Sequence, residues 1–306
     1  MKTLQKSAIA LAASSLLATT AFAQTAPAAE APEASPITAN VTVVNDYRYR
    51  GISQSNFKPA IQGGFDYAHE SGVYIGNWNS SISWIGDAYG PNGGNSGKGS
   101  TIGQVSAPIE MDFYAGIKKE LIGEGFASDL GVLQYYYPTS GIPNTNGYFA
   151  NPNTTEIYVA QNFTFGPVTG FAKFSYAVSP LFGNINSTGS YYPDLTMNYD
   201  TGFWGLALNG HVGYQYVAGS QKAGTTNWQG TQYQSGSSTG AISNSTLYSY
   251  TDWKLGVTKD FGGGLSASAA YVGTTAATVK GSYAYSSPNG SNLGKAGAVV
   301  SLTKTF

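Results

Sequence analysis

The sequence predicts an all-β fold: a transmembrane antiparallel β-barrel of about twelve strands, with short periplasmic turns at one rim and long extracellular loops at the other. Three observations carry this. Short segments alternate apolar and polar residues with a period of two from Thr38 onward, the connections between them sort by parity into tight and long, and the charge of a water-soluble surface is missing. Charged residues make up 10% of the chain, against a usual share near 25%. Aromatic residues reach 14%, and glycine fills 40 positions. Few charges with much Tyr, Asn, Ser, Thr and Gly suit a wall that meets lipid on alternate residues. A soluble domain would cover itself with more Lys and Glu.

At the amino end, Lys2 and Lys6 form a basic start, residues 7–20 are an apolar run, and Ala21-Phe22-Ala23 is a small-x-small cleavage site. Residues 1–23 therefore read as a secretory signal peptide. The run falls short of the roughly 20 apolar residues that a membrane-crossing helix needs, and no later apolar stretch reaches that length. Residues 24–37 open with QTAPAAEAPEASP, an Ala, Pro and Glu lead with nothing to bury, expected to be disordered. Residues 38–306 form the barrel. Removing Lys2 and Lys6 from the 15 basic residues leaves 13 against 16 acidic ones, a mature net charge of about −3. This balance argues against a nucleic-acid partner. The absence of cysteine excludes disulfides and thiolate metal sites.

Strands are expected at about 38–52, 58–68, 73–84, 107–120, 126–137, 154–165, 168–178, 190–201, 205–217, 247–260, 265–274 and 295–306. No convincing amphipathic helix separates them. Connections after the even-numbered strands are tight and rich in turn formers, such as His69-Glu70-Ser71-Gly72, Gly166-Pro167 and Phe261-Gly262-Gly263-Gly264. Those after the odd-numbered strands are long and polar, notably 86–106, 138–153 and 218–246. A secreted sandwich has no reason to sort its loops by parity, whereas an outer-membrane barrel does.

Alternation is clearest in three strands. Ile109, Met111, Phe113, Ala115 and Ile117 oppose Glu110, Asp112 and Lys118. Leu206, Leu208, Val212, Tyr214 and Tyr216 oppose Asn209, His211 and Gln215, while Trp253, Leu255 and Val257 oppose Asp252, Lys254 and Asp260. One residue step turns a side chain to the other face. The strands at 73–84 and 126–137 alternate poorly. In the first strand, VTVVNDYRYRG, the same period sends Val41, Val43, Tyr47 and Tyr49 outward and Thr42, Asp46, Arg48 and Arg50 into a watery interior. Aromatic residues gather at strand ends, with tyrosines (47, 49, 135–137, 176, 191, 192, 214, 216, 248, 250, 271) and Trp84 at the loop rim. Phe65, Tyr67, Phe126, Phe163, Phe165, Tyr199, Phe203, Trp204, Phe261 and Phe306 lie at the turn rim. Two girdles are what an interface-spanning barrel shows.

The chain ends AVVSLTKTF, with Ala298, Val300 and Leu302 at alternate positions before Phe306. This resembles the terminal assembly signal by which bacterial barrels are handed to the barrel-assembly machinery, although Lys304 stands where an aromatic is common. The residues NDYRYRGISQS (45–55), KPAIQGGFDY (58–67) and GVYIGNW (72–78), with HVGY (211–214) and the last strand, are similar to the Gcw_chp family of proteobacterial outer-membrane proteins, porins of the TorF type. Most of the mature chain takes part. One departure is Asn77 between Gly76 and Trp78, where the family label points to a cysteine. The resemblance implies an outer-membrane barrel of poorly defined substrate and supplies no catalytic chemistry.

Other chemistries find little support. Nucleophilic catalysis needs a base beside an activated Ser or Thr; of the two histidines, His69 lies in a tight turn beside Glu70 and His211 points inward. Two distant histidines without cysteine do not assemble a nitrogen or sulfur metal site. The Asp and Asn of the long loops lack the spacing of a Ca²⁺ loop, and the glycine clusters lack the helix and lysine of a phosphate loop. An enzyme, a cofactor and a bound metal are thus not expected. The functional candidates are the inward charges Asp46, Arg48, Arg50, Glu110, Asp112, Lys118, Glu156, Lys173, Asp200, Asp252 and Lys254. As pore-lining groups they set the field that a permeating solute feels; alternatively, opposite charges pair across a narrow interior and fill it. The first reading is an outer-membrane channel for passive diffusion of small hydrophilic solutes or ions. The second is a closed structural or surface-interaction barrel. The expected partners are outer-membrane lipid, the assembly machinery and, on the first reading, small hydrophilic solutes.

Overall fold

A computed structural model describes residues 35–89, 105–140, 151–221, 241–279 and 282–306. Twelve antiparallel strands close on themselves: β1 (Ile37–Val44), β2 (Ala60–Ala68), β3 (Val73–Ser81), β4 (Ile109–Gly123), β5 (Phe126–Tyr136), β6 (Thr154–Phe165), β7 (Val168–Ala177), β8 (Tyr191–Asp200), β9 (Leu206–Gln215), β10 (Tyr250–Asp260), β11 (Leu265–Thr274) and β12 (Gly297–Thr305). Every strand pairs with its sequence neighbours, and β1 closes the ring on β12 through Val41 opposite Lys304 and Val43 opposite Leu302. Closure leaves no edge, so each backbone group in the wall has a partner without water. Strands expected from the sequence coincide with these twelve, most within two or three residues at each end. No helix among the described residues is long and apolar enough to cross a membrane; the crossing is made by strands. The helices Trp84–Tyr89 and Asn244–Tyr248 are single turns in the loops. The signal peptide expected at 1–23, the lead as far as residue 34, and most of the loops 86–106 and 218–246 lie outside the described residues.

The expected parity holds. Connections 69–72, 124–125, 166–167, 201–205 and 261–264 lie at one rim, and the longer segments between odd and even strands lie at the other. Both ends of the described chain meet at the turn rim, where Ala39 and Phe306 exchange backbone hydrogen bonds. The outer wall carries Ile61, Ile75, Leu130, Val159, Leu195, Leu208, Leu255, Val300 and Leu302, all at least 40% exposed. Such a belt suits hydrocarbon rather than water. At the turn rim Phe65, Phe165, Phe203, Trp204, Phe261 and Phe306 extend outward. Lys304, the odd residue of the terminal pattern, snorkels there: its Nζ donates to the Gly263 carbonyl at 2.5 Å and lies 5.5 Å from the Phe306 ring centre.

Strand β3 departs from alternation for a visible reason. Trp78 turns inward against the Tyr47 ring, 5.5 Å between centroids. Asn77 takes an outward register position between Phe65 and Phe113, its cross-strand partners. Its amide is satisfied there by the Asp112 carbonyl at 2.9 Å and by Asn79 at 2.5 Å. A polar residue on the lipid side is thereby covered and hydrogen-bonded, which removes most of its transfer cost.

The lumen holds the packed interior. Tyrosine rings lie against glycines of neighbouring strands: an added Cβ at Gly213 would meet the Tyr192 hydroxyl at 2.1 Å, and one at Gly116 would meet that of Tyr74 at 2.3 Å. Lacking a Cβ, these glycines let a large ring lie flat on the wall.

Candidate functional site

The first strand is where expectation and structure part. The pattern predicts a strand running to residue 52 with Tyr47 and Tyr49 facing lipid; β1 instead stops at Val44, and both tyrosines are buried inside, at 0% and 8% exposure. Asn45 ends the ladder, its side chain accepting from Val300 N at 2.7 Å and donating to the Ala298 carbonyl at 3.2 Å, as a peptide group would. The chain then turns into the barrel. Arg48–Tyr49 pairs with Ile52–Ser53 as a small hairpin. At its tip Arg50 and Gly51 both have positive φ, 45° and 78°, as a type I′ turn requires. A side chain at Gly51 would strike Thr274 at 2.4 Å. The segment 45–59 is thus an inward plug.

Its tip holds the centre of the lumen. Arg50 Nη2 donates to Glu156 of β6 at 2.8 Å and Nη1 to Gln215 of β9 at 2.6 Å, while the guanidinium lies 4.1 Å from the Tyr192 ring centre. Glu156 is 1% exposed and Arg50 5%. Around this pair the plug is tied at three further points. Tyr49 donates to the Tyr135 hydroxyl at 2.7 Å, and Glu110 accepts from Tyr47 at 2.5 Å and from Tyr137 at 2.9 Å. Arg48 donates to Asp46 at 2.5 Å and to the Gly51, Leu293 and Lys295 carbonyls at 2.9–3.1 Å. Asp46 also accepts from Ser53 at 2.6 Å.

A second cluster lies on the wall. His211 contacts Asp252 through Nε2 at 2.8 Å and Asp194 through Nδ1 at 3.0 Å, and Tyr192 donates to Asp252 at 2.9 Å. Toward the turn rim Tyr74 donates to Asp129 at 2.6 Å and bonds the Tyr158 hydroxyl; Tyr114 donates to Asp66 at 2.5 Å, and Lys173 Nζ lies 4.0 Å from the Tyr158 ring centre. No group of three metal-binding side chains occurs among the described residues.

Ten of the eleven inward charges named from the sequence face the interior, where Asp46, Arg48, Arg50, Glu110, Asp112, Glu156 and Asp252 are all below 9% exposed. Asp46, Arg48 and Arg50 do so from the plug rather than from a strand. Asp200 ends β8 at the rim, where its carboxylate accepts from Gly202 N at 2.9 Å and closes a turn. Sequence reasoning missed the tyrosine set: Tyr135, Tyr137, Tyr192, Tyr248 and Tyr250, expected in the loop-side girdle, are also turned inward. Tyr136, Tyr176, Tyr214 and Tyr271 keep their outward places.

An all-β cylinder with an apolar outer belt and a charged, tyrosine-rich interior defines the class: an outer-membrane-type β-barrel. The chain belongs to the family described as "Bacterial protein of unknown function (Gcw_chp)", whose profile matches residues 28–242 and 233–306. No curated protein is similar to it at a significant level. Among solved structures it is similar to the KdgM porin at 5% identity, covering 88% of this chain and 98% of that one, with a TM-score of 0.45. The NanC porin is similar at 8% identity, 88% and 98% coverage and a TM-score of 0.47. OprD of Pseudomonas aeruginosa is similar at 10% identity, 90% and 68% coverage and a TM-score of 0.38.

Proposed function

We propose that this protein is an outer-membrane conduit of the porin type, passing small hydrophilic solutes or ions through a lumen narrowed by the 45–59 plug. The observation that carries this is the polarity of the inner wall: charges of both signs and phenol hydroxyls line a cylinder whose outer wall is apolar. The eleven residues named above, Asp200 least, set the field along the path. In this reading residues 1–23 direct export and are removed, residues 24–37 lead into the barrel, and Phe306 is read by the assembly machinery. The turn rim faces the periplasm and the loop rim the exterior, with the loops 86–106 and 218–246 controlling access.

Planar-bilayer recording of the refolded protein tests this. The native chain should give small discrete steps, and a variant with residues 46–57 replaced by a Gly-Ser linker should give larger ones. Silence of both variants across salts and voltages refutes it. The second reading, a closed structural or surface-interaction barrel, is favoured by the near-complete burial of Arg50 and Glu156 at the centre. Liposome swelling with sugars of graded size separates the two, since a closed barrel admits none.

A further inference from the structure

We propose that the loop-side mouth of the barrel is a binding site for a neutral saccharide. This rests on the outer-membrane reading above, which puts the mouth on the exterior, but it does not need an open lumen. The plug forms the floor of a cleft there through Tyr49 and Gln54, and Phe182, Asn184, Tyr137 and Tyr250 stand around it. The rings are held edge to face: Tyr49 against Phe182 at 5.3 Å and 78°, Trp84 against Tyr137 at 5.4 Å and 88°, and Tyr250 against Tyr285 at 5.3 Å and 79°. Mutual packing fixes their orientation, so the cleft is preformed, as small-molecule sites usually are.

The lining carries no Asp, Glu, Lys, Arg or His among the described residues, although the lumen just beneath is rich in them. It does carry polar atoms left over from local bonding. Gln54 spends its Nε2 on the Ile52 carbonyl at 3.0 Å, and Asn184 its Nδ2 on the Leu181 carbonyl at 3.0 Å. The two amide oxygens have no other partner among the described residues. Tyr250 is 5% exposed, and its hydroxyl likewise has no hydrogen-bond partner among them.

This combination selects among ligand classes. A pyranose has an apolar C–H face, which packs on ring faces, and a rim of hydroxyls, which donate to amide and phenol oxygens. An acidic sugar or organic acid would bring a carboxylate to a cleft where the nearest guanidinium, Arg50, is already engaged by Glu156 and Gln215. Desolvating that charge without a partner is costly. A purely apolar ligand would bury the Gln54, Asn184 and Tyr250 oxygens unpaired, which is costly for the opposite reason.

Calorimetric titration of the purified protein in lauryldimethylamine oxide, a detergent without a sugar headgroup, tests the site directly. The probes are cellohexaose and maltohexaose, with hexagalacturonate and indole as charged and apolar comparisons. Saturable binding of a neutral hexasaccharide is expected, and Tyr250→Phe and Gln54→Ala should each weaken it about three- to tenfold, the worth of one hydrogen bond. Heat-modifiable gel mobility checks that both variants still form the barrel. The proposal is overturned if neither neutral sugar binds, if only hexagalacturonate or indole binds, or if both folded variants bind as tightly as the native chain. Binding without conductance would sink the conduit and leave the site; conductance without binding would do the reverse.

Discussion

Arg50 at the tip of the plug and Glu156 on the wall of β6 form an ion pair of 2.8 Å, with side chains 3% and 2% exposed. The barrel order places β6 five strands from β1 in one direction, and β9, which supplies Gln215, four strands away in the other. One guanidinium therefore ties the plug, which enters from β1, across the lumen to β6 and β9 on the far part of the wall. Removing one partner leaves the other buried and unpaired, which costs about 3 to 5 kcal/mol. Arg50→Gln and Glu156→Gln should each lower the urea stability of the refolded barrel by that order and enlarge its conductance steps. The double variant should lose less than the sum of the two. Additive losses in the double-mutant cycle would show that the pair does not act as a unit.

A second consequence concerns ion preference. Arg48 and Arg50 are the two cationic side chains of the plug hairpin, Arg50 paired with Glu156 of the wall and Arg48 with Asp46 of the plug, inside a lumen that also buries Glu110, Asp112 and Asp252. Replacing both arginines with Gln removes two positive charges from the lumen and leaves its carboxylates with Lys173, Lys254 and His211 nearby. The chloride-to-potassium permeability ratio, from reversal potentials in a salt gradient, should then fall. An unchanged ratio means that the path does not pass these residues.

Gly213 is where the wall makes room for Tyr192. Gly213→Ala puts a Cβ 2.1 Å from the Tyr192 hydroxyl, pushing the ring off Asp252 and out from under Arg50. Overpacking of this kind costs about 1 to 3 kcal/mol. The thermal midpoint followed by dichroism in micelles should drop, while Gly210→Ala on the same strand, where a Cβ meets nothing within 4 Å, should leave it nearly unchanged. Equal midpoints for the two variants would remove the ring-on-glycine account.

The wall was legible because lipid outside and a watery interior impose a strict two-residue period, as β4, β9 and β10 show residue by residue. The lumen was not, because its inner surface obeys packing rather than polarity. Tyr135, Tyr192 and Tyr250 are by residue type as suitable for a headgroup girdle as for an interior; only the two-residue period that Tyr192 shares with Asp194, and Tyr250 with Asp252, marks the inward face. β3 resisted for the same reason, with Trp78 inward and Asn77 outward. The plug did leave a trace in the sequence. A strand from 38 to 52 exceeds the roughly 9 to 11 residues that cross a bilayer, and Asn45-Asp46 and Arg50-Gly51 supply breaker and turn within the excess. Length, read against alternation, would have ended the strand near Val44. The motifs at residues 45–78 that carry the family resemblance fall on this plug and the two strands after it, so the segment reads as a signature while its strand alternation fails.

Leu255 gives the sharpest test of the wall itself. It sits at the middle of β10, 68% exposed on the outer face, while Lys254 one step earlier points inward beside His211 and Asp252 around a small interior cavity. The same charge on adjacent residues thus meets hydrocarbon in one case and paired carboxylates in the other. Leu255→Arg should cost about 2 to 4 kcal/mol near the bilayer midplane, read as a lower urea midpoint for refolding into phosphatidylcholine vesicles. In micelles, where detergent rearranges around a charge, the loss should be smaller. If Leu255→Arg refolds into vesicles as well as the native chain, then β10 does not face lipid at that level, and the inside and outside of this barrel have been assigned the wrong way round.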